Sequence, residues 1–369
     1  MQQWWSWRIG RSRWTETAEA VSAARTGNAD CQRGPRRRPG IPVPRSCRLE
    51  VARRGAYDNE CPRARTDAAR PAPAASIAMP ADRAGMRRID GGVFAMGSAR
   101  FYPEERPVRA VRVASFWIDE TPVTNRAFAR FVDATGYVTR AERRATDSAV
   151  SGRRTGSAVF TAPAGPVRTL DPGLWWHWDE HASWRMPRGA GSSLAGLDDH
   201  PVVHVAFDDA LAYAAWAGKR LPGEAEWEFA ARGGLDGAEY AWGNALAPEG
   251  LLLANYWQGT FPSANTLEDG WERTSPVGAF PANGYGLVDM IGNVWEWTAD
   301  AWSLPASSDV PAPGCCAARA AGTSVPQHVL KGGSYLCARN YCQRYRPAAR
   351  HPQPADSPTG HIGFRCAAD

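Results

Sequence analysis

Regular secondary structure is scarce in this sequence, and that scarcity limits the possible folds more than any other feature. Only three stretches show a helical spacing of apolar residues, and the chain after residue 235 is dense in Gly, Asn and Trp with short strand-like runs. With 44% hydrophobic residues and 17 tryptophans the chain can nevertheless bury a sizeable core. We therefore predict one α+β domain with little regular structure, which needs an additional source of rigidity.

The first 84 residues differ in composition from the rest of the chain. They are rich in Arg, Ala, Pro and Gly, and no period of 2 or 3.6 residues persists in them. Such a segment cannot bury enough apolar surface to offset its conformational entropy. We expect a disordered leader over 1–84 and one folded domain over 85–369. Translation from Met79 or Met86 would leave that leader out of the protein.

Charge and hydropathy argue against two classes of partner. The formal net charge of +5 is modest for 369 residues and lies mostly in the leader, so it does not indicate nucleic acid. No apolar stretch approaches the ~20 residues of a membrane span, and the N-terminus lacks the apolar core of a signal peptide. We expect a cytoplasmic monomer whose eight cysteines are thiols, ligands or catalytic groups rather than disulfides.

The ordered part should begin with strands and contain three helices. The predicted elements are strands over 87–98 and 108–124 and helices over 124–136, 208–219 and 222–234. Thr124 is a suitable N-cap for the first helix, and Gly136 ends it. In the second helix Leu211, Ala215 and Trp216 are expected to share one face.

The segment KGGSYLCARNYCQRYRP is the most informative in the chain, because four residues separate Cys337 from Cys342. A zinc site needs a second pair of ligands, which the adjacent Cys315 and Cys316 together with Cys366 do not readily supply. A redox dithiol normally has two intervening residues. Two nearby thiolates suit the soft ion Cu(I). From the residues alone, a copper site and a pair of buried cysteines or a reversible disulfide all remain open.

The ordered part of the chain resembles the formylglycine-generating enzyme family, also called sulfatase-modifying factors. The matching stretches are GVFAMGS, HPVVHVAFDDALAYAAWAGKRLPGEAEWEFAARGG, ANYWQG, NGYGLVDMIGNVWEW, KGGS and the terminal GFRC. They are shared across a wider superfamily and imply the fold, a C-type-lectin-like α+β domain. The element SYLCARNYC is more specific, because it is typical of true formylglycine generators.

This resemblance implies an oxidoreductase that activates sulfatases by a post-translational modification. The family converts a cysteine of an unfolded or nascent sulfatase polypeptide, in a Cys-x-Pro-x-Arg motif, to Cα-formylglycine with O2 and a reductant, here expected to be a thiol. Cys337 and Cys342 match the Cu(I) ligands. Ser334 and Tyr341 flank them and could hydrogen-bond to bound oxygen or to the substrate sulfur; plain packing is the alternative for both.

Four further positions are candidates for substrate binding. Trp295 matches a family tryptophan that lines the substrate cysteine, although alternating tryptophans are also typical of a core strand. Asp147 and Ser148, within the loop-like stretch 140–200, align with a polar pair near the cleft, where an aspartate could bind the substrate arginine; a solvated loop acid is the alternative. His361 stands where some relatives carry asparagine, and a structural histidine is as plausible there.

Two calcium sites of the family are matched as well. The first set consists of Asn255, Asp269 and the carbonyls of Tyr256 and Trp271, and the second of Asp289, Glu296 and the carbonyls of Gly292 and Val294. Calcium takes six to eight oxygen ligands, and it would stiffen a domain that is rich in loops. From spacing alone the signal is weak, because acidic residues are common in loops.

Two other functions are alternatives. A lectin-like binding or scaffold module would keep the fold without the chemistry, but it would have no reason to retain both thiols beside Ser334 and Tyr341. A relative that acts on small thiols, such as a sulfoxide synthase, would need an iron-binding helical domain, which residues 1–84 do not resemble. The oxidase therefore stands first.

Cys366 departs from the pattern of metazoan relatives, which carry structural disulfides. Ala214 and Ala231 stand at matching positions, which leaves Cys366 without its expected partner. This difference favours a cytoplasmic, bacterial-type enzyme.

Overall fold

The chain is described by a computed structural model. The described residues are 83–143, 155–169, 171–304 and 325–369. Nearly all of the predicted leader, together with Asp147, Ser148, Cys315 and Cys316, lies outside them. Within the described residues no helix is long and apolar enough to cross a membrane.

Short elements joined by long irregular segments make up the described part, as the scarcity of periodic sequence predicts. Its 13 strands are β1 Met86–Ile89, β2 Gly92–Met96, β3 Arg109–Val113, β4 Phe116–Asp119, β5 Ser157–Phe160, β6 Trp176–Asp179, β7 Gly259–Thr260, β8 Ala264–Asn265, β9 Trp295–Ala301, β10 Gln327–Lys331, β11 Arg350–Pro354, β12 Ile362–Gly363 and β13 Ala367–Ala368. The three α-helices in the same part are α1 Asn125–Thr135, α2 Phe207–Trp216 and α3 Glu224–Arg232.

The strands form two small sheets and three two-stranded ribbons among the described residues. One sheet has the order β1-β4-β13, and the other has the order β11-β10-β9-β12 with β12 parallel to β9. The ribbons pair β2 with β3, β5 with β6 and β7 with β8. Because the C-terminal β13 pairs with the early β4, opposite ends of the folded domain meet in one sheet.

The predicted turn at Gly91 is present, but the strands on either side of it do not pair with each other. β1 pairs with β4, whereas β2 pairs with β3. Gly91 has φ +69°, and a Cβ atom there would lie 2.5 Å from the Val113 carbonyl oxygen. Only glycine permits this close approach.

The first predicted helix is confirmed at both ends. The Thr124 hydroxyl accepts a hydrogen bond from the Ala127 N–H at 3.2 Å, and Gly136 ends the helix in the left-handed conformation. Phe128 and Phe131 are buried on its inner face.

The second helix is present, but the predicted inner face is wrong. Leu211 and Trp216 are 41% and 43% exposed, whereas Tyr213 and Ala214 are buried. All of these residues are apolar or aromatic, so the spacing alone could not single out the buried face. The third helix begins at Glu224 rather than at Pro222, and Gly233 caps its end as expected.

Buried charges join α3 to the four-stranded sheet. Lys331, at the end of β10, has a fully buried side chain whose Nζ lies 2.8 Å from Glu228 Oε2. Arg232 pairs with the other Glu228 oxygen at 2.8 Å. On β11, Arg350 Nε lies 2.7 Å from Glu224 Oε1. These pairs hold α3 against β10 and β11, directly before the segment that carries the cysteine pair.

His204 is a second buried polar anchor. Its ring nitrogens lie 2.7 Å from Ser157 Oγ and 2.9 Å from the Pro187 carbonyl oxygen, and its backbone N–H donates to the Thr359 carbonyl. Burial lowers the pKa of His204 from 6.5 to about 4. The imidazole is therefore neutral in the folded protein at neutral pH.

Replacing Lys331 by methionine should destabilise the protein by about 3 to 5 kcal/mol, because it removes one partner of a buried charge and leaves Glu228 under-compensated. Chemical denaturation with constant m-value would measure the loss. Arg126→Met, which removes an exposed pair with Asp199, is the control and should change stability little. Equal losses for the two variants would contradict the assigned importance of the buried cluster.

The pH dependence of stability should reflect His204. Its folded-state pKa lies below the unfolded value, so its contribution is complete above about pH 6.5 and is lost as the pH falls toward 4. His204→Gln should therefore lose roughly 3 kcal/mol less than the wild type over that interval. His181→Gln, at a side chain that is 58% exposed, should follow the wild-type curve. Parallel curves for all three proteins would refute the prediction.

Candidate active site around the cysteine pair

Two glycines after β10 turn the chain into the segment that carries the cysteine pair. Gly332 and Gly333 have φ +92° and +74°. A Cβ on Gly332 would lie 2.8 Å from the Met290 carbonyl oxygen, and one on Gly333 would lie 2.6 Å from that of Arg344. The GG pair thus packs the start of the segment against its own far end.

The thiols of Cys337 and Cys342 are in mutual contact. Both are free, and their side chains hydrogen-bond to each other. Cys337 is 1% exposed, and its N–H donates to the Ser334 carbonyl at 2.9 Å. Cys342 is only partly buried. The sequence prediction that these two residues act as a pair is therefore supported by their geometry, and one side of the pair is accessible.

The two thiols differ in protonation. The hydrogen bond from Cys337, assisted by the nearby Arg344 guanidinium, lowers the pKa of Cys342. Burial, together with the adjacent Cys342, raises the pKa of Cys337 well above its ordinary value. The direction of both shifts describes a thiolate at Cys342 that accepts a hydrogen bond from the Cys337 thiol.

Arg344 is a functional candidate that the sequence analysis missed. Its guanidinium lies 3.9 Å from the centre of the Tyr102 ring, and Nη2 lies 2.5 Å from Glu104 Oε1. Tyr102 and Glu104 belong to a turn more than 200 residues earlier in the chain, so no local pattern could have paired them with Arg344. The only available signal was an arginine two residues after Cys342.

A second ion pair fastens the same turn to the end of the cysteine segment. Arg346 Nη1 donates to Glu105 Oε2 at 2.8 Å, with both side chains buried, and its guanidinium lies 3.6 Å from the centre of the Phe101 ring. Bidentate pairs of this kind restrict orientation as well as distance. The cysteine segment is thus held from both sides.

Ser334 and Tyr341 flank the pair in different ways. Ser334 is fully buried, and its hydroxyl accepts the Leu336 N–H at 3.3 Å. The Tyr341 ring stacks on Phe261 at 4.4 Å and meets the edge of Trp175 at 6.0 Å. Tyr341 therefore belongs to an aromatic wall, whereas Ser334 supports the loop and still has a proton to donate.

Trp295 and His361 meet through the backbone. Trp295, in β9, is buried and donates its N–H to the His361 carbonyl at 2.9 Å. The His361 ring lies 4.8 Å from Trp176, its Nδ1 lies 2.7 Å from Thr359 Oγ1, and burial lowers its pKa to about 3. His361 is thus a neutral imidazole at physiological pH, able to hydrogen-bond without carrying charge.

His351 is another residue that the sequence analysis did not single out. Its ring lies 5.7 Å from that of Trp295. Burial lowers its pKa well below the ordinary value, assisted by Arg344 and His361. These electrostatic influences place His351 near both residues, although its position in β11 shows no sequence pattern that distinguishes it.

The first predicted calcium set has the features of a cation site. The Asn255 side chain is buried, and its Oδ1 has no hydrogen-bond partner among the described residues. Burial raises the pKa of Asp269, whose Oδ1 accepts the Trp271 N–H at 2.9 Å. The Gln258 amide donates to the Tyr256 carbonyl and, at 2.9 Å, to Asp269 Oδ2. The set therefore fits an oxygen-seeking cation.

The second predicted set has a different charge balance. Both oxygens of Glu296 accept hydrogen bonds from Arg365, each at 2.8 Å, so its charge is already compensated. Burial raises the pKa of Asp289 to about 6. The backbone of Gly292 and Val294 lies between these two residues in the chain. A cation there would have to share the Glu296 oxygens with Arg365.

Metal clusters of the usual kind are not found in the described part of the chain. No group of three or more His, Cys, Asp and Glu side chains there is placed to hold a metal ion. Cys366 is a free, buried thiol whose N–H donates to Asp119 Oδ2 at 2.9 Å. The described residues therefore offer two sulfur donors at Cys337 and Cys342 rather than a four-ligand zinc site.

Comparison with known proteins agrees with this site. The family model described as a sulfatase-modifying factor enzyme 1-like domain matches residues 73–369. The formylglycine-generating enzyme of Mycobacterium tuberculosis is 54% identical over 290 residues, which cover 76% of this chain and 96% of that protein. The inactive C-alpha-formylglycine-generating enzyme 2 of Bos taurus is 40% identical over 291 residues, covering 76% and 87%.

The fold is also found among solved structures. PvdO from Pseudomonas aeruginosa matches with a TM-score of 0.50 and 24% identity, over 77% of this chain and 94% of that one. The predicted fold and the predicted family resemblance are both confirmed. The chain belongs to the family of sulfatase-modifying factor enzyme 1-like proteins.

Proposed function

We propose that this chain is a formylglycine-generating oxidase that converts a cysteine of a sulfatase polypeptide, in a Cys-x-Pro-x-Arg motif, to Cα-formylglycine. The observation that carries the proposal is the contact between the free thiols of Cys337 and Cys342 at a partly accessible position. The high identity to a formylglycine-generating enzyme over nearly its whole length supports the same activity.

Cu(I) is the proposed cofactor of the cysteine pair. Two adjacent sulfur donors, one of them already a thiolate, suit a soft monovalent ion. Bound there, copper would supply the redox chemistry that lets a thiolate-rich site use molecular oxygen. Oxidation of a thiol to an aldehyde removes two electrons and reduction of O2 to water consumes four, so a thiol reductant must supply the remaining two.

The surrounding residues prepare the pair for this role. Cys342 offers its thiolate directly, while Cys337 must release a proton before it can act as a ligand. The Arg344 guanidinium stabilises negative charge on both sulfurs. Ser334 positions the Cys337 backbone through its carbonyl. Each of these residues acts by holding charge or a proton at a stated atom.

A substrate cysteine would enter beside the accessible Cys342. Tyr341 and Trp295 would form apolar walls that exclude water, and His361, being neutral, would offer hydrogen bonds without repelling a cationic substrate side chain. Asp147 and Ser148 remain proposed contacts for the substrate arginine. A cytoplasmic location is proposed because the three described cysteines are free thiols.

Calcium is proposed for the first set of oxygen ligands, because the unpartnered Asn255 oxygen and the buried Asp269 carboxylate both lack a compensating cation. At the second set a calcium ion would draw on Asp289 and share Glu296 with Arg365.

The alternative is a binding module of the same fold. A relative named as an inactive enzyme makes this alternative concrete. The oxidase is favoured because both thiols are free, touch each other and lie beside a positive charge, an arrangement that binding alone does not require.

The full chain, loaded with Cu(I) and supplied with a thiol reductant and air, should convert a Cys-x-Pro-x-Arg peptide to the aldehyde, detected by mass spectrometry. Cys337→Ser and Cys342→Ser should each lower the rate by more than about 100-fold, because each removes half of the sulfur donors. Cys366→Ser makes the same change at a buried thiol that contacts Asp119, and it should retain activity.

Two outcomes would contradict the proposal. Full turnover by either variant of the pair would refute copper binding by both sulfurs. Absence of aldehyde with the copper-loaded wild type, combined with measurable peptide binding, would favour the binding module instead.

A further inference from the structure

One peptide group faces both proposed metal sites. The carbonyl oxygen of Tyr256 belongs to the first calcium set, and the Gln258 amide donates to it. The N–H of the same peptide, contributed by Trp257, donates to the Cys337 carbonyl oxygen at 3.1 Å. Because a peptide group is planar, the position of its oxygen fixes the direction of its N–H.

The two sites are linked again a few residues further on. The Asn340 side chain accepts the Phe261 N–H at 3.3 Å and donates to the Phe261 carbonyl at 3.2 Å. The Phe261 ring stacks on Tyr341, and Trp257 forms a β-bridge with Ala338. The segment 255–261 is therefore fastened along the cysteine segment rather than touching it at one point.

We propose that calcium at the first set and Cu(I) at the cysteine pair bind cooperatively, coupled through the Tyr256–Trp257 peptide. The inference rests on the two metal sites of the proposed function and adds a regulatory relation between them. The affinity of the cysteine pair for copper would then depend on calcium.

The physical cause is a difference in charge at the Tyr256 carbonyl. Without the ion, the neutral Gln258 amide bridges Tyr256 and Asp269. A divalent cation at the same oxygens polarises the peptide more strongly and makes its N–H a better donor. The hydrogen bond to Cys337 then tightens, and the buried sulfur is held in one position for copper.

Calcium also replaces a flexible contact by a rigid one. The Gln258 side chain has several rotamers, so the bridge it forms leaves the peptide freer to tilt than ion coordination does. A first ligand that removes this freedom lowers the ordering cost for the second ligand. Both effects have the same sign, so the coupling is positive.

The test measures Cu(I) affinity of the full-length protein under anaerobic conditions, by competition with a chromogenic Cu(I) chelator. Affinity should be about fivefold or more tighter in excess Ca²⁺ than after calcium removal, which is within the usual range of coupling between sites. Reciprocity requires that Cu(I) raise calcium affinity by the same factor, measured by isothermal titration calorimetry. Neither measurement depends on catalysis.

A matched pair of variants separates site binding from a general effect of calcium. Asp269→Asn removes the buried carboxylate of the first set and should abolish the calcium effect on Cu(I) affinity. Glu268→Gln makes the same change of charge at the exposed neighbouring residue and should keep it. If Asp269→Asn proves unstable, the wild-type comparison with and without calcium still decides the question.

The possible outcomes distinguish the proposals. Calcium binding with unchanged Cu(I) affinity would overturn the coupling and leave both metal sites standing. Absence of calcium binding would overturn the first calcium site and the coupling with it, while peptide oxidation would remain a separate test of the oxidase. Loss of the calcium effect in Glu268→Gln as well would refute its assignment to the first set.

Discussion

The buried ion pair between Glu228 and Lys331 is the contact on which the site depends. It joins α3 to the last residue of β10 in a region without solvent, and removing one partner would leave an uncompensated buried charge. The next residues in the chain are the two glycines that turn into the cysteine segment. In a domain with so little regular structure, a buried charge pair sets the start of the catalytic loop where a longer strand or helix would otherwise do so.

Charge also determines the state of the cysteine pair. Arg344 lies close to Cys342 but is shared with Glu104 and covered by the Tyr102 ring. Its position therefore depends on a turn far away in sequence, which Arg346 fastens in parallel. The same segment is bonded on its other side to the first calcium set through Trp257. The pair is thus located between an electrostatic clamp and a proposed metal-dependent one.

Local signals predicted local features well. The Thr124 cap, the Gly136 terminus and the Gly91 turn all follow from the conformational preferences of single residues. The inner face of α2 was wrong because apolar residues occur on several sides of that helix, and only the surrounding core decides which side is buried; Leu211 is exposed for this reason. Pairing of β1 with β4 likewise depends on contacts that adjacent residues do not encode.

By itself the sequence determined the fold class, the family and the cysteine pair, because short motifs with strict residue requirements carry that information. It did not reveal Arg344, His351 or the double role of the Tyr256 peptide. Those depend on charges, rings and backbone groups brought together from distant parts of the chain. Protonation and coupling are properties of such neighbourhoods, since burial and nearby charge set the energy of each ionic form. Only the tertiary structure decides them.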